Sequence, residues 1–180
     1  MLIENAVTDA LCDAILEEYK DSPDWVNSTV GSVGKVDVNI RGAKVIGMSQ
    51  DAVMQKNEKV RKKLDHYLFV SAGLASHKYR EKYKPHLNIS RDCGYDLLWY
   101  EAGTGYIEHT DSFKDFNREV SCSFSLNDGY EGGEWSFWGG KRTLRAPKGS
   151  AILFPSNFMY PHQIMPVTKG NRYSIVTWFS

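Results

Sequence analysis

Hydrophobic positions change their period about halfway along the chain, and that change predicts the architecture. In "TDALCDAILEEYK" the residues Leu11, Cys12, Ile15 and Tyr19 recur at i, i+1, i+4 and i+8, the stripe of an amphipathic helix, with Thr8 or Asp9 placed to cap it. "DSPDWVNSTVGSVGK" reads as a loop with Trp25 as its one large anchor, and "VDVNIRG" alternates like a short strand from Val36 to Ile40. A second helical stretch is predicted from about Val53 to Lys82, weakened near its middle by Gly73. Beyond Pro85 the period drops to two. "YDLLWYEA", "GYIEHTD", "EVSCSFSLN", "GEWSFWG", "TLRAP", "SAILFP", "YPHQIMPV" and "RYSIVTWFS" follow one another, separated by glycine, proline or turns such as Asn127-Asp128-Gly129.

Eight short strands after two helical stretches predict a mainly β fold with flanking helices. The expected form is a double-stranded β-helix (jelly roll) core packed against N-terminal α-helices. We expect one domain over residues 1–180, with helical support at about 1–92 and the jelly-roll core at about 93–180. A hydrophobic fraction of 42% is enough for a packed core. Lys plus Arg equals Asp plus Glu at 22 each, so no global field favours nucleic acid or an anionic membrane. No apolar run approaches the roughly 20 residues of a membrane span. Cys12, Cys93 and Cys122 form neither a metal-binding pair nor a disulfide framework, and "MLIENAVTDAL" is unlike a signal peptide, so a cytoplasmic location is expected. Nothing in the pattern sets an oligomeric state.

The candidate chemistry starts from "EHTD". On a strand, His109 and Asp111 point to one face, where an imidazole and a carboxylate can share a metal. Alone, the pair reads rather as two exposed polar side chains. His162, on a later strand, completes two imidazoles and a carboxylate, the set that covers one face of octahedral Fe(II) and leaves three positions open. Zinc would accept the same ligands with tetrahedral geometry. Arg172 lies ten residues after His162 and shares a strand face with Ser174, Val176 and Trp178. An inward arginine among apolar neighbours needs an anion, and its planar fork suits a carboxylate, to which Ser174 can add a hydroxyl. The bland alternative is a structural ion pair.

The ordered segments "YEAGTGYIEHTD", "REVSCSFSLNDGYEGGEWSF", "LRAPKGSAILFP" and "YPHQIMPVTKGNRYSIVTWF" resemble the 2-oxoglutarate- and Fe(II)-dependent dioxygenases, most closely the prolyl 4-hydroxylase branch. The resemblance is close from about Leu97 to Phe179 and weaker over "DALCDAILEEY" and "NIRGAKV". It implies His109, Asp111 and His162 as iron ligands and Arg172 as the partner of the distal 2-oxoglutarate carboxylate. It also implies Tyr100 near the cosubstrate and Trp178 beside the second histidine. O2 is the second cosubstrate so implied, with ascorbate as a candidate accessory reductant. Gly132-Gly133-Glu134 reads as a tight strand entry. One departure stands out: Ser125 occupies a position where such hydroxylases often carry a tyrosine that donates to 2-oxoglutarate, and Ser174 or Tyr100 would have to replace it.

The reaction so implied is hydroxylation of a prolyl or other residue in a peptide or protein, with a free amino acid or other small molecule as the alternative. Nucleic-acid dealkylation is disfavoured, because the second arginine such relatives carry six residues after the first is Trp178 here. A non-catalytic jelly-roll binding module, with Trp99, Trp135 and Trp138 as stacking platforms, is the competitor from another class; it has no need of Arg172 beside a metal set. Ser22 to Lys35 is a candidate closing segment, and Tyr106 and Arg118 candidate lining of the approach. Cys122 is expected in the core, Glu108 exposed, His66, His77 and His86 away from any ligand set, and Lys141, Arg142 and Arg145 on a solvated face.

Overall fold

The computed structural model describes residues 1–30, 34–83, 89, 91–112 and 117–180. Helix α1 (Asp9–Tyr19) begins where the Thr8 hydroxyl accepts from the Leu11 amide at 3.2 Å, and its stripe buries Cys12, Ile15 and Tyr19. The second helical stretch is α2 (Asp51–Met54), a 3₁₀ turn (Gln55–Asn57) and α3 (Glu58–Tyr83) in direct succession. Gly73 does not interrupt α3, whose apolar face buries Leu64, Leu68, Ala72, Ala75 and Tyr79. Among the described residues, no helix is long and apolar enough to cross a membrane.

In chain order the strands are β1 (Leu2–Ile3), β2 (Val26–Asn27), β3 (Thr29–Val30), β4 (Lys35–Val36) and β5 (Lys44–Gly47). Next come β6 (Asp96–Glu101), β7 (Tyr106–His109), β8 (Val120–Ser125), β9 (Glu131–Gly132) and β10 (Trp135–Phe137). The last five are β11 (Arg142–Leu144), β12 (Ala151–Pro155), β13 (His162–Ile164), β14 (Val167–Lys169) and β15 (Asn171–Phe179). All eight segments expected after Pro85 contain a strand.

They form a jelly roll of two antiparallel sheets: β1-β12-β8-β15-β6-β5-β2 faces β11-β10-β13-β7, with short ladders β14-β9 and β3-β4 at the ends. Three strands of the large sheet, β1, β2 and β5, come from the N-terminal half. The strand expected at Val36–Ile40 is a correction. Only Val36 is paired, because Asp37 turns the chain: its carboxylate accepts from Asn39 N and its carbonyl from Ile40 N and Arg41 N. The sheet partner is instead Lys44–Gly47, a few residues on. Of the candidate closing segment, residues 31–33 lie outside the described residues.

The large sheet is covered on both faces, and alternation along β15 sorts its residues between them. Tyr173, Ile175 and Phe179 join Leu97, Phe124 and Leu153 in the core shared with α1 and α3. Val176 and Trp178 join Leu98, Tyr100, Trp135 and Phe154 in the core between the sheets. Polar side chains are buried along that inter-sheet layer, from Arg172 and Ser174 on β15 to Ser123 and Ser121 on β8.

Candidate active site

His109 closes β7 and His162 opens β13, and the two are direct partners across the ladder. His109 Nε2 lies 3.5 Å from Asp111 Oδ1 and His162 Nε2 lies 3.7 Å from Asp111 Oδ2. One ligand atom from each of the three falls within 4.8 Å of the others. The opposite ring nitrogens are both occupied: His109 Nδ1 contacts the Ile107 carbonyl at 2.8 Å and His162 Nδ1 the Tyr160 carbonyl at 3.0 Å. A carbonyl only accepts, so Nδ1 carries the proton in each ring and Nε2 faces Asp111.

Burial pushes the His162 imidazole below its ordinary value, which favours the neutral form a metal requires. Burial would raise the Asp111 carboxyl. When the imidazoles also carry a proton on Nε2, the hydrogen bond from His109, the charge of His162 and the Ser121 hydroxyl outweigh burial and hold it well below the carboxylate range. Ser121 Oγ lies 2.6 Å from Asp111 Oδ2 and 2.9 Å from Ser156 Oγ, while the Asp111 amide donates to the Ser156 carbonyl at 3.1 Å. An extra proton or a metal ion would answer this carboxylate alike, so the donor set fits a cation.

Arg172 stands in the same cavity, 3% exposed. Its Nη1 donates to Ser174 Oγ at 2.9 Å, and its guanidinium lies 5.4 Å from the Tyr100 ring centroid and 5.7 Å from that of Trp135. No carboxylate of the described residues pairs with it, and its Nε is buried without a hydrogen-bond partner. A buried, unpaired guanidinium is costly, and an anionic ligand removes the cost. Gly133 clears the space: at φ +68°, a Cβ there would stand 2.9 Å from Arg172 Cδ. The Gly-Gly segment is therefore more than a strand entry.

The other singled-out residues divide. Tyr100, Ser174 and Trp178 line the cavity. Besides His109, the rings packed on His162 are Phe154, Trp135 and Phe137, at 4.6, 5.6 and 5.9 Å, whereas Trp178 lies under the Arg118 guanidinium at 3.6 Å. Ser125 pairs with Ser174 in register and does not line the cavity, which leaves Ser174 as the nearer hydroxyl. Tyr106 stacks on His109 with centroids 3.5 Å apart, and Arg118 donates to the Asp111 carbonyl at 3.2 Å.

Cys122 is fully buried and Glu108 is exposed, accepting from the Gly139 amide. Trp99 stacks with Tyr173 outside the barrel, and Trp135 is core. His66 and His77 lie on α3; His86 is outside the described residues. Arg145 leaves the basic cluster to meet Tyr130 and Glu134. Sequence reasoning missed Ser121, Ser156 and Arg41. For Ser121 a signal existed, since serines recur with period two in "SCSFS".

Fold and side chains together define a jelly roll with a two-histidine, one-carboxylate donor set that could hold a metal ion. The sequence model of the 2OG-Fe(II) oxygenase superfamily matches residues 95–180. A PKHD-type hydroxylase of Janthinobacterium sp. (strain Marseille) is 30% identical over 176 residues, covering 88% of this chain and 68% of that protein. Another, from Synechococcus sp. (strain JA-3-3Ab), is 35% identical over 89 residues, 44% of this chain and 39% of the relative's length. Over the whole fold, a Trichoplax adhaerens prolyl hydroxylase solved with a hypoxia inducible factor peptide fragment superposes at a TM-score of 0.78 and 20% identity, covering 99% of this chain and 82% of its own. A Pseudomonas putida prolyl-4-hydroxylase gives 0.66 at 20% identity, with 99% and 91% covered. The chain belongs to the 2OG-Fe(II) oxygenase superfamily.

Proposed function

We propose that this chain is a 2-oxoglutarate- and Fe(II)-dependent dioxygenase that hydroxylates a prolyl residue of a peptide or protein. One observation carries the reading: the His109, Asp111 and His162 donors share a cavity with Arg172, a buried cation that no carboxylate of the described residues pairs with. The bound metal and cosubstrate supply the oxidation, converting 2-oxoglutarate, O2 and a substrate C–H bond into succinate, carbon dioxide and C–OH. The protein's own part is placement. The Nδ1–H bonds to Ile107 and Tyr160 fix both imidazole tautomers, and Ser121 steadies the Asp111 carboxylate. Arg172 receives the distal carboxylate, with Ser174 orienting the guanidinium and Tyr100 forming the wall. Trp135, Phe137 and Phe154 keep water from the His162 side. The prolyl substrate rests on the prolyl hydroxylase neighbours, and the free thiols Cys12, Cys93 and Cys122 support a cytoplasmic setting; ascorbate is a candidate reductant.

The test is anaerobic absorption spectroscopy of the protein titrated with Fe(II) and then 2-oxoglutarate. An iron-to-cosubstrate charge-transfer band in the wild type that is lost in His109→Ala is expected. A wild-type protein that binds neither component would return the jelly-roll binding module as the better reading.

A further inference from the structure

We propose that Arg41 binds a carboxylate of the substrate, an inference that rests on the dioxygenase reading above and gives its substrate a chemical class. The segment around Arg41 is pinned beside β7: Gly42 N donates to the Gly105 carbonyl at 2.9 Å, Ile107 N to the Ile40 carbonyl at 3.0 Å, and Arg41 bridges Tyr106 between them. Gly42 permits this approach, since a Cβ there would stand 2.7 Å from Thr104 Cβ. The Arg41 guanidinium then lies 5.1 Å from the Tyr106 ring centroid, and Tyr106 in turn stacks on His109. Guanidinium, phenol and imidazole form a stack that places Arg41 on the wall of the cavity holding Asp111, His162 and Arg172.

Its hydrogen bonding is incomplete. Nη1 donates to the Thr29 carbonyl at 3.2 Å, but Nε is buried without a partner, and no carboxylate of the described residues forms an ion pair with Arg41. Charge points the same way. With the metal and cosubstrate bound, the two charges of Fe(II) and the one on Arg172 are balanced by Asp111 and the two carboxylates of 2-oxoglutarate. Asp96 and Arg118, within electrostatic range of Arg41, are one acid and one base. Counting the described residues, Arg41 is left as the surplus cation. A backbone carbonyl would satisfy its N–H groups but not its charge, whereas a carboxylate does both. That carboxylate is either the α-carboxylate of a free amino acid or the side chain of an acidic residue beside the hydroxylated one in a peptide.

Calorimetry under argon on protein loaded with Fe(II) and 2-oxoglutarate separates these. The probes are L-proline against L-prolinamide, and the capped peptides acetyl-Glu-Pro-amide and acetyl-Pro-Glu-amide against their Gln counterparts. We expect the carboxylate member of at least one pair to bind tenfold or more tighter than its amide. Arg41→Gln erases that preference, Arg41→Lys retains part of it, and both variants form the charge-transfer band. Preference in the proline pair assigns a free amino acid; preference in a peptide pair assigns an acidic sequence. No carboxylate preference, or one that survives in Arg41→Gln, overturns the proposal. So does loss of the band in Arg41→Gln, which would make Arg41 part of the cosubstrate site. A wild-type protein that forms no band fails the dioxygenase reading first and this one with it.

Discussion

Arg61 and Arg172 are both buried arginines, at 5% and 3% exposure, and the fold treats them in opposite ways. Arg61, on α3, is fully answered from within: Nε meets Glu18 at 2.6 Å, Nη1 meets Asp24 at 3.0 Å and the Val53 carbonyl at 2.6 Å, and the guanidinium covers the Tyr19 ring. Arg172, on β15, has one serine hydroxyl and two ring faces. Arg61 ties α3 to α1 and the loop after it. Among the described residues Arg172 has no such partner, so its charge remains available to a ligand. Burial alone does not distinguish a structural cation from a binding one; the location of the counter-charge does.

The largest expected effect is on the structural side. Arg61→Met leaves Glu18 without its cation and Asp24 with Lys56 alone, and should lower unfolding free energy by about 3–5 kcal/mol in urea titrations. The affinity of the folded protein for 2-oxoglutarate should not change. Arg172→Met should do the reverse, costing about 2–5 kcal/mol of 2-oxoglutarate binding, read from the charge-transfer titration, with a urea midpoint equal to or above the wild type. If both variants lost stability equally, the distinction would collapse.

Gly133→Ala sharpens it further. Holding alanine in the left-handed region costs about 1–2 kcal/mol of stability. The added Cβ also presses on Arg172 Cδ, so 2-oxoglutarate affinity should fall, though less than in Arg172→Met.

The smallest effect is a pH dependence. Burial opposes ionisation of Asp24, but hydrogen bonds from Lys56, Arg61 and Ser22 prevail and hold its carboxyl below the ordinary 3.8. A carboxyl so lowered contributes stability that is complete above pH 3.8 and lost as pH falls through its folded value. The wild type should therefore lose urea resistance below that pH more steeply than Asp24→Asn. The variant should start lower at neutral pH.

Local pattern made much of the inter-sheet site legible. The alternation in "RYSIVTWF" sends Arg172, Ser174, Val176 and Trp178 to one face, whereas β7 ends at His109. Asp111, expected on the same strand, lies just beyond it, tied to the Ser156 carbonyl, and still meets His109 at 3.5 Å. The partners of Arg61 were not legible, because Glu18 and Asp24 come from α1 and its loop, tens of residues away. Lys44–Gly47 was missed because both its faces are covered and it carries no turn signal of its own. Val36–Ile40 alternates like a strand, but the Asp37 carboxylate captures a nearby amide and the turn wins. Arg41 escaped notice for a related reason. Only pairing with Tyr106, far along the chain, brings it to the cavity.

The two histidines are held by carbonyls two residues earlier in the chain, and main-chain atoms are not subject to substitution. Point mutations among the neighbours of His109 and His162 can shift the backbone but cannot delete those acceptors. Asp111 is different, since the hydroxyl on its Oδ2 belongs to Ser121, which one nucleotide change can remove. Over evolutionary time the imidazole half of the site should tolerate drift around it, while the carboxylate half depends on keeping a serine or an equivalent donor on β8.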